Sequence, residues 1–121
     1  MGYEVRAHIG TVMSDSSEKL RSLLEIATVD MSVASHEFDA ACNDGERKPI
    51  RLFSSIDGNK SVNVDDYGDS LIIVDPKKLL KGIKESKYRR DKILVATLKA
   101  VMADFKYELK EKTLKVVMRH Y

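Results

Sequence analysis

The chain has 121 residues, of which 43% are hydrophobic, 33% charged and 7% aromatic, and its formal net charge is +2. That length fits one domain spanning 1–121, large enough to bury a core without disulfides or metals. No apolar run approaches the roughly 18 residues of a membrane span, the start lacks the basic-then-apolar layout of a secretory signal, and six Gly with two Pro exclude a collagen-like or disordered chain.

In chain order, Tyr3 to Met13 alternates. Tyr3, Val5, Ala7, Ile9 and Thr11 point one way and Glu4, Arg6 and His8 the other, which predicts a half-buried strand with an exposed His8. Asp15-Ser16-Ser17-Glu18 has the spacing of a capping box, so a short helix burying Leu20, Leu23 and Leu24 is expected next. Residues 25–34 fit two patterns. Ala27, Val29, Met31 and Val33 alternate as in a strand, while Leu20, Leu24, Ala27, Met31, Ala34, Phe38 and Ala41 recur as in a long helix. The β-branched residues of Ile26–Val33 favour the strand.

Cys42-Asn43-Asp44-Gly45 reads as a turn, and Ile50, Leu52 and Phe53 as a short strand after Pro49. Asp57-Gly58-Asn59 signals a hairpin, with Ser61–Val64 as its returning edge. Asp65-Asp66-Tyr67-Gly68-Asp69 is an acidic turn before the apolar run Leu71–Val74, which is expected to be the central strand. Asp75-Pro76 then opens a helix burying Leu79, Leu80 and Ile83, because Asp accepts from the orphan amides and Pro lacks an N–H where none is needed. A second helix is predicted from about Tyr88 to Phe105, with Ile93, Leu94, Leu98, Val101, Met102 and Phe105 on one face and Lys92, Lys99 and Lys106 opposite. Lys110-Glu111-Lys112 makes a turn, and Leu114, Val116 and Met118 alternate in a last strand. The expected fold is α+β: a mostly antiparallel sheet of four to five strands with two or three helices on one face.

Charge divides unevenly. Residues 1–75 carry 7 Lys/Arg and 14 Asp/Glu, a net of −7, and residues 76–121 carry 14 and 5, a net of +9. Such asymmetry suits contact between the two parts, pairing between copies in a homo-oligomer, or contact with a polyanion.

The chemistry of catalysis is thinly represented. The single cysteine, Cys42, allows no internal disulfide and no multi-cysteine zinc site, and it fits a reducing cytoplasm. A nucleophilic Cys42 with His36 or His8 as base has no local signature around it. Asp57, Asn59, Ser61, Asn63 and Asp65 alternate like half a calcium loop, but Val62 stands where Gly is required and Gly68 where the bidentate Glu is required. His36-Glu37 starts a zinc-protease motif that Ala40 interrupts. No Gly-rich phosphate loop and no nucleophile elbow occurs. A small hydrolase or nuclease using His36, Asp65 or Asp69 is a third reading, which metal-dependent turnover would have to support. No enzyme, cofactor or metal is expected.

The acidic Asp66, Tyr67 and Asp69 and the basic Lys77, Lys81, Arg89, Arg90, Lys92 and Lys99 are the candidate binding residues. The basic set has the means to neutralise phosphates, with Tyr88 placed to stack on a base. Neither a helix-turn-helix layout nor a ribonucleoprotein motif accompanies it.

Three segments carry a resemblance: Asp66-Tyr67-Gly68-Asp69-Ser70-Leu71, Lys87-Tyr88-Arg89-Arg90 opening an amphipathic helix, and the terminal Leu114-Lys115-Val116-Val117-Met118-Arg119-His120. In order and spacing they resemble small uncharacterised proteins encoded by bacteriophages and prophages. That resemblance implies a short, non-structural accessory protein made inside a bacterial host, of a kind that binds a host protein or the phage's own nucleic acid. Together with the absent catalytic motifs, the small size and the uneven charge, it leads to the expectation of a non-enzymatic protein in the bacterial host cytoplasm that binds a protein partner, such as a host defence or regulatory factor. The alternative is a nucleic-acid-binding module using the basic C-terminal helices.

Overall fold

The computed structural model describes residues 5–14, 21–31, 46–47, 50–53, 61–64, 68, 70–85 and 92–120. Among the described residues there are seven strands: β1 (Val5–Ser14), β2 (Arg21–Met31), β3 (Glu46–Arg47), β4 (Ile50–Phe53), β5 (Ser61–Val62), β6 (Ile72–Val74) and β7 (Leu114–His120). The helices among the described residues are α1 (Pro76–Glu85), α2 (Lys92–Asp104) and α3 (Lys106–Lys110). The strands form one mixed sheet in the order β3-β6-β7-β1-β2-β4-β5. Five strands have three residues or more, and β3 and β5 are two-residue pieces at its ends. Among the described strands only β2 and β4 pair in parallel. The architecture is the α+β fold expected. β1, rather than the Leu71–Val74 run, is central; β6 lies one strand in from an end of the sheet.

The sheet is strongly curled, and the chain itself forces this. β3 and β4 stand five strand spacings apart in the order, about 24 Å in a flat sheet. Yet only two residues lie between Arg47 and Ile50, three Cα steps with a reach of at most about 11 Å. The two ends of the sheet are therefore drawn together into a nearly closed ring.

One face packs under the helices. Ala7 and Ile9 of β1, Val29 of β2, Ile72 and Val74 of β6, and Leu114, Val116 and Met118 of β7 meet Leu79, Leu94, Leu98 and Val101. Each of the Val, Leu, Ile and Met side chains among these contributes about 1.5–3 kcal/mol on burial. The other face is the inside of the curl. There Leu23, Ile50, Leu52, Leu71 and Val117 form a second buried cluster. Because both faces are buried, β6 reads as an unbroken apolar run without being central.

A bulge in β2 divides its side chains between the two faces. Ile9 pairs with Ala27, but Gly10 pairs with Glu25, so Ile26 is an extra residue. Ala27 and Val29 consequently face the helices, while Leu23 faces the interior. A Cβ at Gly10 would overlap the carbonyl oxygen of Leu24, so only glycine fits opposite the bulge.

The strand expected within 25–34 is present and starts earlier than expected. Leu23 and Leu24 lie in β2 rather than in a helix, and residues 15–20 are outside the described residues. The strand at Ile50–Phe53 is found, paired antiparallel to β5 as a hairpin requires. The turn residues between them, and the turn at 42–45, are outside the described residues. Gly68 has φ +82°, and Val64 bridges Ser70 antiparallel, as a chain reversal demands.

Candidate functional site

Asp75 starts α1 as its chemistry suggests. Its Oδ1 accepts from the amides of Lys77 at 2.9 Å and Lys78 at 3.3 Å. Its Oδ2 lies 3.9 Å from Lys115 Nζ on β7, which adds a loose tie to the sheet. With Pro76 and Leu79 buried, Lys77, Lys78 and Lys81 are left in solvent.

α2 turns Leu94, Leu98 and Val101 to the sheet, with Val95 and Met102 half-buried beside them. At 3.6 residues per turn the opposite arc holds Lys92, Ile93, Ala96, Lys99, Ala100, Ala103 and Asp104, all exposed. Ile93 was expected on the core face; it is instead 69% exposed, because the buried arc is narrow and centred on Leu94, Leu98 and Val101. Ile93, Ala96, Ala100 and Ala103 follow a three-four-three spacing, the pattern of a helix seam that meets another helix. Lys92 and Lys99 flank this seam on one side, about 10 Å apart along the axis. Thr97 and Asp104 flank it on the other. Thr97 Oγ1 donates to the Ile93 carbonyl at 2.7 Å, holding it against its own helix.

The lysine row ends at Lys99 on this helix. Phe105, at φ −116° and ψ 50°, interrupts the helical path, and Lys106 opens the separate α3. Phe105 and Leu109 are drawn onto the core under the sheet, whereas Tyr107 stands 71% exposed.

Four of the expected binding residues, Lys77, Lys81, Lys92 and Lys99, are thus exposed on the two longer helices. Asp66, Tyr67, Asp69, Arg89 and Arg90 lie outside the described residues, as do Tyr88, His36, Asp65 and Cys42. Among the described residues, no three His, Cys, Asp or Glu side chains gather as a metal site requires. No described helix is long and apolar enough to cross a membrane.

A second polar group sits inside the curl. His8 is fully buried, not exposed as the alternation suggested, because the polar face of β1 is the concave one. Its Nδ1 lies 3.4 Å from Thr28 Oγ1 and 3.5 Å from Glu25 Oε1. One ring nitrogen either donates or accepts, so it serves one of these neighbours at a time. Arg6 and Arg119, directly opposed on β1 and β7, share this face, and Arg119 is 6% exposed. The period-two pattern already places Arg6 and His8 together; it gives no sign that their side of the sheet is enclosed. With His8 closed off from solvent, the group is suited to holding the interior in register rather than to meeting a substrate.

No family model, curated protein or solved structure matches the chain.

Proposed function

We propose that the chain is a non-enzymatic accessory protein, of the phage-encoded kind, that works by binding another protein through the outer face of α2. The observation that carries this is Ile93, a large apolar side chain 69% exposed at the head of an alanine seam with lysines along one flank. Alanines admit close approach of a partner helix, Ile93 supplies apolar contact, and flanking charges select the partner. The test is a photo-cross-linking residue placed at Ala100, with a second at the exposed Glu111 as control. Ala100 should give a discrete protein adduct that Lys99→Glu weakens, and Glu111 should give none. Equal labelling from both positions refutes the reading.

A second reading is favoured by Lys77, Lys78, Lys81, Lys92 and Lys99, exposed on α1 and α2. As a nucleic-acid interface they would bind with an affinity that drops steeply between about 50 and 200 mM salt. Fluorescence anisotropy with labelled DNA and RNA decides it, and binding that survives Lys92→Glu with Lys99→Glu excludes this surface.

A further inference from the structure

The charges of α2 run against its own helix. The first turn has no acidic residue and begins with Lys92; the last turn has no basic residue and ends with Asp104. Each sits at the end of the helix dipole that repels it. Lys92, Lys99 and Asp104 are all exposed and form no ion pair with the described residues. Lys99 and Asp104 instead flank the two sides of the alanine seam, where a partner helix would meet them.

We propose that a second copy of this chain occupies the outer face of α2, the two helices lying parallel about a two-fold axis. This rests on the reading of that face as a docking surface and names its occupant. In a parallel pair, the lysine flank of each seam meets the flank of the other copy that carries Thr97 and Asp104. Lys99 of one copy then reaches Asp104 of the other, five residues further on, and the symmetry makes the contact twice. An antiparallel pair sets Lys99 against Lys99, so the charges select the parallel arrangement. Ala96, Ala100 and Ala103 allow the axes to approach to roughly 8 Å, and the two Ile93 side chains close the head of the seam. The face is about 20 Å long. It is smaller than the roughly 800 Å² per partner of a standard interface, so the association is weak and rises with concentration.

The experiment is sedimentation equilibrium of the full chain at low salt, from about 10 μM to about 1 mM, the range suited to a weak interface. A monomer–dimer equilibrium is expected. Lys99→Asp alone, or Asp104→Lys alone, should raise the dimer Kd about tenfold, and the combined swap should restore it to within about twofold. Ala100→Glu should abolish the dimer while the circular dichroism spectrum stays unchanged. A monomer at every concentration, a dimer indifferent to these changes, or a double swap as weak as the single ones overturns self-pairing. If the chain is monomeric and Ala100 still cross-links to a different protein, the docking face stands with another occupant. If the cross-link is lost too, the docking face falls with it.

Discussion

The carbonyl oxygen of Leu24 occupies the space that a Cβ at Gly10 would need. The two residues meet because Ile26 bulges out of β2 and brings the backbone of Leu24 and Glu25 down on β1. Gly10→Ala must push these strands apart in the middle of the sheet, at a cost of about 1–3 kcal/mol. Urea denaturation of the variant measures this as a lower midpoint with an unchanged slope.

Asp75 carries two amides at the head of α1. Asp75→Ala is expected to cost about 1 kcal/mol, and Asp75→Asn, which keeps an accepting oxygen, much less. Chemical denaturation of the two variants checks the order. Equal losses would mean that the negative charge, through Lys115 or the helix dipole, outweighs the cap.

The misplaced charges of α2 give an opposite sign. Asp104→Asn removes a repulsion at the C-terminal end of the helix and should stabilise the monomer by about 0.3–1 kcal/mol at low ionic strength. The gain should shrink as salt is added, since the site is exposed. Thermal melts at protein concentrations too low for association isolate this effect from any dimer.

His8→Ala leaves Glu25 and Thr28 without the ring they approach inside the curl, and should cost about 1–3 kcal/mol. Lys81→Ala, on the exposed side of α1, should stay within about 0.5 kcal/mol. Parallel urea titrations compare them, and a His8 variant as stable as wild type would show that the ring only fills space.

Local chemistry made part of this molecule legible in advance. Asp75 and Pro76 mark a helix start through their own side chains, and the alternation of Leu114, Val116 and Met118 needs only period two. Where the reading failed, the cause lay in what the rest of the chain does. The bulge at Ile26 shifts the parity of β2, so Leu23 and Ala27, both at odd positions, face opposite ways and blur the strand pattern. His8 lies on a polar face that the curl encloses, and alternation does not distinguish an enclosed polar face from a wetted one. Ile93 sits within one turn of the core arc, and only packing decides which side of the boundary it takes. The exposed lysines at 77, 81, 92 and 99 were legible because long charged side chains on an amphipathic helix have nowhere else to go.

The three-residue step from Arg47 to Ile50 ties together strands at the two ends of the sheet. Neither β3 beside β6 nor β4 beside β2 can take its place without fixing where the other must be. The hairpin of β1 and β2 and the antiparallel pair of β6 and β7 are thereby coupled, and the domain gains or loses both together.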